Sequence, residues 1–496
     1  MWVRALPGVL LLAAFPALLV VTLAGLVVAE ALLAAASAGD ALRWAIVLVP
    51  AAFVLARGLR VLLGTVSERT RGVPLTEPAH QELWALVRRL AAVVGSRPPT
   101  AIRLTGEAGA SVVEDTRLLG MISSRRTMLV GAPLMAVLRE DQLAAVLAHE
   151  LAHFANWDTR SSALAYRGKR AFASTVAALD RTELVQRLIA WLFRGWQRLY
   201  LRVSSGMSRR EELTADAAAA RATGSAATAS ALRELRVVEL SWRTFTDHHL
   251  RMGWDVGYLP ADVFGGYAEL RAAMAERLDD VRRTPPDVVP RDNSHPAMAV
   301  RVAAVEAMAD APAVPLLRRR ATELLSDAAT VLDAAVLDGL GPAAAGMRRV
   351  DWVTLAEVHG RGPAVAAATA LLTAAARVTG GPGTLRDVLD ALDAGGLAEL
   401  AGVRPTPGIG PRGRREQARP AVRDGLRAAV GLAMAGVGVA AWVPDWPACA
   451  RLAADEPYAA ELPDLIAAAV ADRPDSTGLR ALLDTVHVDL DRATAD

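Results

Sequence analysis

The chain has 496 residues, 53% hydrophobic and 22% charged, and its 55 basic and 53 acidic side chains leave a formal net charge of +2. That length carries about two to four domains with a substantial core, and so small a charge gives no footing for a nucleic-acid partner. The single Cys449 excludes an internal disulfide and any cysteine-based zinc site; it reads as a small buried hydrophobe. Lys169 is the only lysine among many arginines, a bias that also discounts alanine richness as a helix signal.

The first element in chain order is Gly8 to Ala29, 22 residues without a charge between Arg4 and Glu30. About 20 such residues span a bilayer as a helix. Ala36-Ser37-Ala38 resembles a signal cleavage site, yet the run exceeds the ~7–15 residues of a signal core, so an uncleaved anchor is expected. A second apolar run, Trp44 to Ala56, lies between Arg43 and Arg57. It is short for a span, although snorkelling arginines can extend it; it reads as a second span or as an interfacial or core helix. If both cross, Arg4, Arg57, Arg60, Arg69 and Arg71 flank the outer ends and only Glu30 and Asp40 lie in the loop. The positive-inside rule then places both ends, and everything after residue 66, in the cytoplasm.

Residues 73–95 hold Pro74, Pro78 and an amphipathic helix with Leu83, Leu86, Val87, Leu90 and Val93 on its apolar face. Three β-like runs follow, Ala101–Thr105, Ser111–Glu114 and Thr127–Val130, separated by Gly106, Gly109, Gly120 and Gly131. Asp141 to Asp158 then reads as a mostly buried helix carrying His149, Glu150 and His153. Residues four apart share a helix face about 6 Å apart, so the two imidazoles can bind one zinc ion together. Glu150 falls beside that metal and suits a carboxylate that takes a proton from the water zinc acidifies.

Residues 172–203 read as one or two long helices, interrupted too often by arginine for a span. Two histidines under-coordinate zinc, whose catalytic sites use three protein ligands and an open position. A further helix start, Ser208 to Asp216, puts Glu212 and Asp216 on one face. One of the two can bind the metal, and the other can accept a hydrogen bond from the far nitrogen of a ligating histidine. His248 and His249 point to different sides of any regular element and read as loop residues. After residue 310 the chain becomes an alanine-, leucine- and valine-rich helical tail broken at Gly341-Pro342, at Gly380 to Pro382 and at Pro405 to Pro411. Pro405–Arg415 reads as a solvated loop, and Leu426–Val443 as a buried helix.

Together these residues resemble a family. His149-Glu150-x-x-His153 with Asp158 five residues on, then Ser208-Arg209-x-x-Glu212-x-x-Ala215-Asp216, then Ser294-His295-Pro296 with Arg301, is similar to the HtpX-like membrane zinc metallopeptidases, the group that includes the CAAX prenyl endopeptidases. The resemblance covers roughly residues 65–310. It implies His149, His153 and Glu212 as ligands of one zinc ion per chain, Glu150 as general base and Asp216 as the partner behind a ligating histidine. It further implies a structural role for Asp158, and His295 and Arg301 lining the cleft, with His295 donating to a developing oxyanion. The chain departs from the family where an Asn-Ala-Phe-like strand usually receives an extended substrate; here that stretch is Gly109 to Val113.

The expected fold is α+β and mostly α, with three parts: a membrane anchor of one or two helices over 1–66, a gluzincin-like metallopeptidase domain with a small sheet over 67–310, and an all-α region over 311–496. The expected activity is that of a membrane-anchored zinc endopeptidase facing the cytoplasm, with protein or peptide substrates and the bilayer as partners. A non-enzymatic scaffold with a structural or defunct zinc site, or a zinc hydrolase of non-peptide amides, is the alternative.

Overall fold

A computed structural model describes residues 2–63, 72–117, 122–153, 155, 191, 195, 209–284, 296–309, 311–402 and 410–492. Asp158, His295 and, apart from Trp191 and Gly195, the expected helices of 172–203 lie outside the described residues. Two compact units emerge, one formed by Met1–Trp242 with Ala275–Pro342, the other by Arg243–Met274 with Ala343–Asp496.

The first unit begins with α1 (Trp2–Ala36) and α2 (Ala38–Leu63), which pack against each other around Ser37. The second apolar run thus belongs to a 26-residue helix that takes in its flanking arginines and Pro50. Leu48, Ala51 and Leu55 are buried, whereas Val21, Leu32, Leu42, Ile46 and Phe53 are exposed.

Next comes a four-stranded sheet of order β1-β2-β4-β3, built from β1 (Val73–Pro74), β2 (Ala101–Thr105), β3 (Ala110–Arg117) and β4 (Ile122–Gly131). Strands β2 and β4 run parallel, β3 pairs antiparallel with β4, and β3 is left at the edge. Helix α3 (Gln81–Val94) buries Leu83, Leu86, Val87 and Leu90 as its periodicity predicts. Val93 instead is 43% exposed, because it falls in the last turn, ahead of the left-handed Gly95 that ends the helix.

A short α4 (Ala132–Val137) leads into α5 (Glu140–Ala152), the helix of the histidine motif. Leu143, Ala144, Leu147 and Ala148 on α5 are wholly buried. That apolar set fixes the rotation of the helix and leaves His149, Glu150 and His153 as its partly exposed face. Its first turn is anchored on three sides. The Gln142 side chain accepts from the Arg139 backbone N–H at 3.0 Å and donates to Ser230 Oγ at 2.8 Å. Arg319 bridges Glu140 and Glu82 of α3. The helix α6 over residues 209–223 and α7 (Ser225–Thr244) meet at Gly224, whose φ of 88° is the left-handed conformation that glycine reaches without strain. Completing the unit are α8 (Ala275–Arg283), α9 (Met298–Glu306) and α10 (Ala328–Leu340).

The second unit corrects four expectations. Its C-terminal region is not all-α: Ala440–Asp445 and Cys449–Ala454 form an antiparallel hairpin, and Arg348–Val350 pairs with Tyr258–Pro260. The helix expected over 426–443 stops at Gly436, since Gly438 takes φ 81° and turns the chain into the strand that buries Trp442. Arg412, Arg414 and Arg415 lie in the first turns of the helix Pro411–Gly436, which Pro411 opens, because a proline there forfeits no needed donor. His248 and His249 belong to a π-helical turn, Phe245–His249; His249 is 1% exposed and its Nε2 lies 2.8 Å from the Trp446 carbonyl. Among the described residues one helix, Trp352–Thr379, is long and apolar enough to cross a membrane by length and composition. One face of it, with Leu371, Leu372 and Ala375, packs with Val422, Leu426 and Val430 in a hydrophobic core.

Gly131 closes β4 immediately before α4. A Cβ there would meet the Glu107 carbonyl oxygen at 2.0 Å and that of Gly109 at 2.7 Å. Gly131→Ala is therefore expected to destabilise the protein by about 1–3 kcal/mol through forced backbone shifts, read as a lowered denaturant midpoint; an unchanged midpoint would refute the close approach.

Candidate metal centre

His149 and His153 stand one turn apart on α5, with rings nearly perpendicular and Nε2 atoms 3.1 Å apart. Glu212 reaches them from α6: its Oε2 lies 3.6 Å from His149 Nε2 and its Oε1 3.7 Å from His153 Nε2. Zinc bonds to imidazole nitrogen at ~2.0–2.1 Å and to carboxylate oxygen at ~2.0–2.2 Å, so tetrahedral ligand atoms stand about 3.3–3.5 Å apart. The donor set, two nitrogens and a carboxylate converging within 4.8 Å, fits such an ion in both chemistry and spacing.

Asp216, one turn after Glu212, accepts from His149 Nδ1 at 2.9 Å. That bond puts the proton on Nδ1 and turns the lone pair of Nε2 toward Glu212 and His153. Behind it Arg301 of α9 donates twice to the same carboxylate, Nε to Oδ2 at 2.8 Å and Nη2 to Oδ1 at 2.7 Å. Its Nη1 lies 3.4 Å from Glu212 Oε2. Asp216 and Arg301 are 1% and 7% exposed, so this is a buried, charge-assisted, two-point pair. Burial alone would raise the Asp216 pKa, but hydrogen bonds from Arg301 and His149 outweigh it and hold the carboxyl below its ordinary value. Arg301 is likewise driven down by burial and, against that, raised overall by Asp216 and Glu212. His153 has its pKa lowered to about 4, chiefly by burial and next by His149, and is neutral at pH 7.

These groups stand at one end of a cleft of about 490 Å³. Glu150 lines it, as do Ala110 and Ser111 of the edge strand β3 and Ala231, Leu232 and Leu235 of α7. Five of the residues singled out from sequence, His149, Glu150, His153, Glu212 and Asp216, thus meet in one place, with Arg301 joining them through Asp216. What the sequence reading missed is the two-point Arg301–Asp216 pair and the α7 wall. The wall carries a helical spacing, Ala231, Leu232, Leu235, that is indistinguishable in sequence from an ordinary core face.

Residues 81–309 match the family model described as Peptidase family M48. No curated protein and no solved structure matches the chain.

The His153 shift has a consequence in the metal-free protein. The unfolded chain takes up a proton near the ordinary value of 6.5, whereas the folded chain does so only near 4. Stability is therefore lost as pH falls from 6.5 toward about 4 and levels off below. Denaturant midpoints of metal-free protein over that window should fall, and His153→Gln should flatten the slope; an identical slope in the variant would place the titration elsewhere.

Proposed function

We propose, from the match of residues 81–309 to the model of peptidase family M48, that the chain is a membrane-anchored zinc endopeptidase whose working groups are those of the α5–α6–α9 cluster. His149, His153 and Glu212 hold the zinc ion, and the observation that carries the reading is the convergence of these three donors beside Glu150 in an open cleft. A zinc ion held there supplies Lewis acidity, acidifying water and polarising a carbonyl.

The protein's own groups do the rest. Glu150 takes a proton from the attacking water and returns it to the leaving amine. Asp216 keeps His149 in the tautomer whose Nε2 can ligate, and Arg301 keeps Asp216 ionised and still. The edge strand β3 offers unpaired backbone groups to an extended peptide, with Ala110 and Ser111 at the cleft. His295, six residues before Arg301 in the chain, is assigned the role of oxyanion donor, and Asp158 a structural one.

The membrane part of the reading rests on α1 and α2. At 1.5 Å per residue, helices of 35 and 26 residues are long enough to cross a hydrocarbon core of ~30 Å. Their exposed Val21, Leu32, Leu42, Ile46 and Phe53 present apolar surface outward. The arginines at the outer ends of the pair favour a cytoplasmic catalytic domain.

Glu150→Gln is expected to keep its zinc by elemental analysis while cleavage of a denatured protein falls ~10²- to 10⁴-fold. Glu212→Ala should lose the metal, and Asp216→Ala should lose ~10- to 100-fold in zinc affinity or turnover. Retained cleavage in the Glu150 variant would remove the general base from this assignment. The chain should also resist alkaline extraction from membranes and become extractable when residues 1–66 are deleted; an extractable full-length chain argues against the anchor.

A further inference from the structure

Helices α1 and α2 enclose a groove of about 320 Å³ that the peptidase reading leaves unused. Leu26 and Val27 of α1 and Leu48, Val49 and Ala52 of α2 line it, and Glu30 of α1 is the charged residue of the lining. The Glu30 Oε2 atom is buried and accepts no hydrogen bond. A carboxylate oxygen withdrawn from water without a donor is costly, so it calls for a donor from outside the helix pair. Position narrows what that donor can be. Glu30 stands seven residues before Ser37, where the helices meet, and Trp44 seven after; each is thus about 10 Å from the turn at ~1.5 Å per residue. The two are level with each other, and Trp44 is exposed, as an indole at the headgroup boundary of a bilayer is. Leu26, Val27, Leu48, Val49 and Ala52 all lie farther from the turn than this level, on the hydrocarbon side. Val27 and Val49 are exposed, so the groove opens outward.

We infer that this groove binds a membrane phospholipid with a primary-ammonium headgroup, its ammonium on Glu30 and one acyl chain along Val27, Leu48, Val49 and Ala52. The inference rests on the membrane reading of α1 and α2 above. Charge selects this occupant. A second copy in two-fold contact through the same face would set Glu30 against Glu30, two like charges. A choline headgroup is cationic but has no N–H to give a carboxylate, whereas an ammonium has three. Size points the same way: the volume is at the low end of the ~300–1,000 Å³ of ligand sites, room for an alkyl chain and not for a helix ~10–12 Å across. Each methylene laid in the groove gains burial against the aliphatic lining.

The test is native mass spectrometry of the full-length chain, delipidated in detergent and titrated with phosphatidylethanolamine or with phosphatidylcholine of the same acyl chains. The wild type should hold the ethanolamine lipid about 10-fold more tightly, the worth of one charge-assisted hydrogen bond. Glu30→Gln, which keeps the shape and removes the charge, should bring the two lipids to the same affinity. Ala52→Leu should weaken both by obstructing the chain, and thermal midpoints check that each variant is folded. Equal retention of the two lipids by the wild type overturns the inference, as does an ethanolamine preference that survives Glu30→Gln. So does a second protein chain, a copy or another protein, that leaves on Glu30→Gln in place of lipid, because it assigns the groove to helix contact. Displacement of the lipid by glycerophosphoethanolamine, which has the headgroup without the chains, overturns the seat for the acyl chain. A full-length chain released by alkaline extraction overturns the membrane reading and this inference with it; a chain that resists extraction but shows no lipid preference overturns this inference alone.

Discussion

The balance of buried charge where α5, α6 and α9 meet is the constraint on which the site depends. Glu212 and Asp216 are 6% and 1% exposed, against one guanidinium, Arg301, at 7%. Among these three the sum is one negative charge in poorly solvated surroundings, and Glu150 adds to it nearby. Burial of ions costs several kcal/mol each unless geometry and counter-charge offset it. The Arg301–Asp216 pair does so for one carboxylate, with both guanidinium contacts at 2.8 Å or less. A divalent cation held between His149, His153 and Glu212 would do so for the rest. With a metal bound, arginine, carboxylates and ion would form one electrostatic unit, in which loss of one member leaves the charge of the others without its partner.

How much of this was legible in the sequence follows from how local each feature is. The histidine pair and Glu150 were readable because a single helical turn fixes their relation. The apolar residues 143, 144, 147 and 148 determine which way that turn faces, and they too are contiguous. Glu212 and Asp216 were readable as a pair on one face, but which of them binds metal depends on the approach of α6 to α5, which spacing alone does not encode. The strand 101–105 was anticipated with its observed bounds, those at 110–117 and 122–131 were anticipated in place but too short, where Gly and charged residues weaken the alternation, and the two-residue strand Val73–Pro74 was not anticipated.

The features that were missed are non-local. Arg301 was expected at the cleft from the Ser294-His295-Pro296 stretch ahead of it, but its two-point contact with Asp216 spans 85 positions of chain, and no local spacing encodes that partner. The hairpin Ala440–Asp445 with Cys449–Ala454 lay hidden because alanine and valine suit helix and strand alike in this alanine-rich composition; only Gly436 and Gly438 signalled the change. The π-helical turn Phe245–His249 likewise buries His249 against Trp446, 197 positions further along the chain.

One further consequence follows from the donors being divided between α5 and α6. Two come within five residues of each other, but the third arrives 59 residues after His153. Closing so long a loop is entropically costly and slow compared with winding a helix. With Glu212 as the third donor, a chain whose α6 had not yet docked on α5 would offer a metal only the two nitrogens of His149 and His153. Loading would then report completed folding, and such a hydrolase would stay inert until that point.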